Sequence, residues 1–213
     1  MRSTMPIPGN PWPHDMQITV EDRPQHLGEL LWLREAHGLH PEGDDHPPQL
    51  AETPKRAAIP VDDAVRATWE AAWARIWRMA AAHAGREHDP LLFDQLHETP
   101  AGSPQRGALL RGIVGPEWGD EFDRSVFQDP SHLDWEQTSM TAFTASRPHT
   151  LESSPERRDL DALIPAWRAG LTKIVTIPCE GEYTRKLGPH ALLMTNASRA
   201  DSDKYRRALA TFS

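Results

Sequence analysis

The side chains best able to do chemistry crowd into residues 164–195, IPAWRAGLTKIVTIPCEGEYTRKLGPHALLMT. Cys179 is the sole cysteine, and Glu180, Glu182, Tyr183 and His190 follow it within eleven positions. A thiol with a base in reach is a nucleophile, and carboxylates, phenols and imidazoles move protons. Arg185, Lys186 and Arg199 supply cations for an anionic ligand, and Thr195 and Asn196 add polar groups at the end of the second apolar run.

Two short extended runs must position these groups. Lys173–Ile177 and Ala191–Thr195 are apolar, rich in branched residues and bounded by Gly170 and Gly188, which predicts two buried strands. The twelve residues 178–189, ahead of His190, just suffice for a parallel crossover and equally suit a wide hairpin. If the strands are parallel, Cys179 and Glu180 leave the first one at its carboxyl end, where open sheets bind ligands. Thr195 and Asn196 then share that edge, a short helix can begin near Gly181, and His190 lies at the opposite edge. If they are antiparallel, Cys179 and His190 approach as nucleophile and base.

A second candidate lies in HGLHPEGDDH, where His37, His40, Asp44 and His46, with Asp45, offer imidazole and carboxylate ligands for a divalent metal. These residues fall on a Pro/Gly loop, and neither HExxH nor a cysteine pair supports them. The chain also lacks a Walker loop, a dinucleotide glycine pattern and a nucleophile elbow, so no cofactor is identified.

Charge narrows the partners. Net charge is −8, and the acidic excess lies wholly in residues 1–150, since 151–213 hold ten basic and eight acidic residues. Such a chain is repelled by nucleic acid, whereas a protein partner or a small anionic ligand near the C-terminal third is compatible. One cysteine excludes an internal disulfide. No run approaches the ~18 apolar residues of a membrane span, and MRSTMPIPGNPWPHDM lacks the core of a signal peptide, so a cytoplasmic location is expected.

The remaining 150 residues read as helical scaffold. Residues 1–15 carry four prolines and predict a flexible arm, with Trp12 able to pin it, ahead of a single domain over 16–213. Asp22-Arg23-Pro24 opens a helix to about His37, with Gly38 as its stop. Its wording, LGELLWLREAHGL, resembles the first helix of phage-repressor-type helix-turn-helix domains. That family places a recognition helix next, whereas here HPEGDDHPPQLAETP follows, whose paired prolines and acids cannot face phosphate.

The strongest helix spans 61–84, with Trp69, Trp73 and Trp77 recurring on one face. An Asp or Ser before proline at 89–90, 103–104, 129–130 and 154–155 predicts further helix starts. Helices are expected over 90–98, 104–114, 117–127, 131–145, 155–169 and 201–211. The fold class is therefore α+β, a helical body (16–150) on a small sheet in an α/β segment (151–213). Without a reaction motif, an accessory or protein-interaction role comes first, then a small enzyme or anionic-ligand domain at Cys179–Tyr183, then a metal-dependent enzyme at 37–46.

Overall fold

A computed structural model describes residues 11–43, 45–87, 91–148 and 150–212. Within them four strands form one mixed sheet: β1 (Thr19–Asp22), β2 (Lys173–Ile177), β3 (Thr184–Leu187) and β4 (Ala191–Thr195), in the order β1-β2-β4-β3. β2 pairs in parallel with both β1 and β4, and β3 runs antiparallel to β4. The two apolar runs are strands, and every residue of each is buried.

Two expectations need correction. The antiparallel alternative fails, because Lys173 lies opposite Ala191 and Ile177 opposite Thr195. Nor does a helix fill the connector. It crosses the end of β4, returns as β3, and turns back through 188–190, where Gly188 adopts φ 71°. The sheet also recruits β1 from a part of the chain read as purely helical.

Alternation along the central strands divides the core in two. Val175, Ile177, Ala191 and Leu193 face one cluster, which α1 (Gln25–Ala36) and α2 (Asp63–Ala84) cover. Ile174, Leu192 and Met194 face the other, covered by α7 (Leu160–Arg168) and α9 (Ser202–Ala210). The sheet is thus sandwiched between helices. Trp12 belongs to the second cluster: it is 4% exposed, and its indole N–H donates to Met16 O at 2.9 Å. The arm expected over 1–15 is therefore anchored by Trp12, and residues 1–10 lie outside the described ones.

On α2, Asp62 caps the start by accepting from Val65 N at 2.8 Å. At its end a Cβ on Gly85 would sit 2.5 Å from Leu187 Cβ and 2.9 Å from Leu187 O. Only glycine lets the helix end so close to the β3–β4 hairpin.

The proline-rich 47–60 segment is a packed strap. The Arg34 guanidinium donates to Pro47 O at 2.7 Å and Pro48 O at 2.6 Å. Leu50 bridges Cys179, and the Trp135 N–H reaches Glu52 O at 2.8 Å. Asp129 accepts from the N–H groups of Ala58 and Ile59. Burial pushes its carboxyl up, but those N–H groups and Ser131 outweigh it and hold the group below the usual aspartate value.

Ser103 and Asp129 cap α4 (Pro104–Val114) and α5 (Pro130–Ser146) as their sequence predicts. Asp89-Pro90 lies outside the described residues, and α3 covers Leu92–Glu98. The helix expected over 117–127 is instead two 3-10 turns, Trp118–Asp120 and Arg124–Gln128, because Asp123 caps a fresh start at Ser125 N. The one expected over 155–169 breaks at Asp159 into α6 (Pro155–Arg158) and α7. A short α8 (Asn196–Ala200), unforeseen in the sequence, precedes α9.

Candidate functional site

Parallel pairing separates the groups of the 164–195 stretch. Cys179 follows β2 at its carboxyl end, whereas His190 precedes β4 at its amino end, a strand length of roughly 16 Å away. His190 Nδ1 instead lies 3.0 Å from Gly170 O, so the proposed nucleophile and base do not meet. Cys179 is itself 2% exposed. Burial, with Glu35 adding to it and Arg34 opposing, pushes its thiol up to about 12. A neutral thiol reagent at pH 8 should therefore leave the native protein unlabelled and react only after unfolding. Rapid stoichiometric labelling of native protein would reverse this reading.

The neighbours of Cys179 disperse. Glu180 and Glu182 are exposed, and Glu182 accepts from Arg207 at 2.8 Å. Burial raises the half-buried Tyr183 phenol, against the opposing pull of Arg185. Arg185 pairs with Asp45 at 2.5 Å, and Lys186 lies over Phe212 at 4.6 Å. Arg185, Lys186 and His190 line a shallow pocket of about 490 Å³ with Arg78 and Arg86. Thr195 ties the connector to α8: its hydroxyl donates to Gly181 O at 2.8 Å and accepts from Ser198 N at 3.0 Å.

Among the described residues of the 37–46 loop, no three ligating groups converge. His37 meets the rings of Trp32 and Trp69, and burial lowers its imidazole pKa. His46 meets Trp73 and lies 2.9 Å from Glu42 O, while His40 is exposed. Asp44 lies outside the described residues. Among the described residues the one triad with converging ligand atoms is His26, Glu29 and Glu117, none of them from the 37–46 loop.

What the fold does build is a cleft of about 920 Å³, within the size range of small-molecule sites. It runs along the edge strand, past Ile18, Val20 and Asp22, to Asn196 and Arg199 beyond the carboxyl end of β4. Residues 143–148 and 150–158 form the opposite wall, with Phe143, Arg147 and Leu151. Of the ligand-binding residues expected from sequence, Asn196 and Arg199 reach this cleft.

A buried ionic network sets its floor. Glu156, 3% exposed, accepts from Arg199 Nε at 2.8 Å and Nη2 at 2.9 Å, and from the Tyr205 hydroxyl at 3.3 Å. Arg199 also reaches Asp22 at 3.4 Å, and Thr176 donates to the same Asp22 oxygen at 2.9 Å. Burial pulls the Arg199 pKa down, yet Glu156 more than offsets it and leaves the group above its ordinary value. Burial and the Glu156 charge together drive the Tyr205 phenol well up.

Both carboxylates in the lining, Asp22 and Glu156, are engaged by Arg199. The lining also carries three cations, Arg147, Arg158 and Arg199; Arg199 is taken up by Glu156 and Asp22, and Arg158 pairs with Asp159 at 2.8 Å. Arg147 lies over the Phe143 ring at 5.6 Å, and Arg23 lies over the same ring at 5.7 Å. Arg23 lines an adjoining pocket of about 270 Å³ that shares Asp22 and Phe143. Its Nη1 is buried without a hydrogen-bond partner among the described residues, and burial lowers its pKa. Its backbone holds φ 57°, a left-handed conformation that costs a non-glycine residue about 1–3 kcal/mol and recurs at functional sites.

The sequence reading missed this place because its walls come from residues 12–22, 143–148, 150–158 and 196–200, far apart in the chain. One local signal was present. Asp22-Arg23-Pro24 reads as a helix opener, and it marks the place where Arg23 turns left-handed between β1 and α1. The architecture is that of an α+β domain carrying a mixed sheet with one cleft at its open edge. Comparison with known family models, curated proteins and solved structures finds no match.

Proposed function

We propose that this protein is a non-catalytic binding domain whose edge-strand cleft takes a small ligand with an apolar body and an acidic head. The cleft itself carries the reading: Val20, Phe143 and Leu151 offer apolar walls, and Arg147 and Arg23 flank the shared ring. An acid placed beside Phe143 meets the Arg147 guanidinium, with Arg23 over the same ring from the adjoining pocket. A hydrogen bond to a charged group is worth about 1.5–3 kcal/mol, enough to select acids over neutral analogues. Anilinonaphthalene sulfonate, an aromatic anion, is a suitable probe. Native protein should show saturable fluorescence enhancement, one probe per chain, weakened ~10-fold or more by Arg147→Glu. Absence of saturable binding, or binding indifferent to Arg147→Glu, refutes the assignment.

An accessory role through a protein partner rests on a different observation. α3 and α4 pack against each other and bury none of their residues, leaving Phe93 54% and Leu110 42% exposed. Arg106 braces the pair by donating to Thr99 O at 2.9 Å. An exposed apolar helical hairpin suits a partner's surface. Under this reading a stoichiometric partner co-purifies from the native host and is lost with Phe93→Asp/Leu110→Asp, while the melting temperature stays within a few degrees. Isolation of the unaltered protein as a lone monomer counts against it.

A further inference from the structure

We infer that His26, Glu29 and Glu117 form a site for a first-row divalent cation, zinc foremost, that is separate from the cleft. His26 and Glu29 are three residues apart on α1 and so share a face, and Glu117 is brought to them by the segment after α4. The His26 Nδ1 lies 3.3 Å from Glu29 Oε2 and 3.7 Å from Glu117 Oε2, and one ligand atom from each residue lies within 4.8 Å of the others. Zinc bonds to nitrogen and carboxylate oxygen of about 2.0–2.2 Å place such atoms roughly 3–4 Å apart, so small side-chain shifts complete the set.

One imidazole and two carboxylates suit zinc better than magnesium or calcium, which take six or more oxygens. Three protein ligands leave a fourth position for water. The surroundings are those of a supported site. Gln25 Nε2 donates to the other Glu29 oxygen at 2.9 Å, fixing the carboxylate from behind. A pocket of about 200 Å³ lined by Glu21, His26 and His83 gives an approach from solvent.

Without an ion, the charge of the two carboxylates is met by Arg124, which bonds Glu117 and reaches Glu29 at 3.4 Å. Its side chain is 48% exposed and comes from a 3-10 turn, so it can swing away. Arg124 is thus a competitor for the ion, and this separates a metal site from a purely structural ion-pair network.

The test is a zinc titration of the untagged full chain, read by calorimetry and thermal melting, with magnesium in parallel. Zinc should bind with a stoichiometry of one and raise the melting temperature, and magnesium should not. Arg124→Gln should tighten zinc binding on the order of tenfold, by removing a competing positive charge a few ångströms away. His26→Ala and Glu117→Gln should each weaken it by at least the same factor. Zinc binding absent from both the unaltered protein and Arg124→Gln overturns the inference, as does binding that survives His26→Ala and Glu117→Gln.

Discussion

Arg199→Met is expected to destabilise the protein by about 3–5 kcal/mol, among the largest effects available to a single change outside the aromatic core. The substitution leaves the buried Glu156 carboxylate with the Tyr205 hydroxyl as its remaining side-chain partner there, and it frees Asp22 from its contact with α8. The loss reflects an uncompensated buried charge more than the worth of the pair, so removing the charge as well should restore most of it. Arg199→Met/Glu156→Gln keeps both volumes and an acceptor for Tyr205. Urea unfolding of the two variants measures the difference, and a double variant no more stable than the single one would falsify this account.

Trp73→Ala should cost a similar ~3–5 kcal/mol, for a different reason. Trp73 is fully buried and stacks on Trp77 with planes 4° apart and centroids at 5.4 Å. Its indole N–H donates to Leu30 O at 2.7 Å, tying α2 to α1. The Arg34 guanidinium lies over its ring at 5.5 Å while holding the carbonyls of Pro47 and Pro48. Truncation therefore opens a cavity and loosens the strap together. Trp69, one turn earlier, is half-buried at the end of this row, and Trp69→Ala should lose clearly less. Equal losses at the two positions, in melting or urea experiments, contradict this view of the row.

The scaffold was more legible than the site. KIVTI and ALLMT announce themselves as strands because burial on both faces favours near-continuous apolar runs. The caps at Ser103 and Asp129 are local chemistry, and a short window of sequence holds all of it. β1 and β3 escaped notice for the opposite reason. TVED and TRKL are four-residue edge strands, open to solvent on one side and free to carry charges. The expected centre at Cys179 placed a thiol correctly after a strand but could not foresee that 47–51 closes over it. The cleft and the His26 cluster depend on long-range neighbours, which periodicity and capping do not encode.

The position of β1 also shapes how the chain reaches its final form. Asp22 and Thr176, which hydrogen-bond across the first two strands, are 154 residues apart in sequence. A ribosome adding 5–20 residues per second takes on the order of ten to thirty seconds to travel that distance. Throughout that interval the first strand has been translated and its partner has not. The sheet is thus assembled late in synthesis, and the exposed early segment is where a chaperone has the longest opportunity to act.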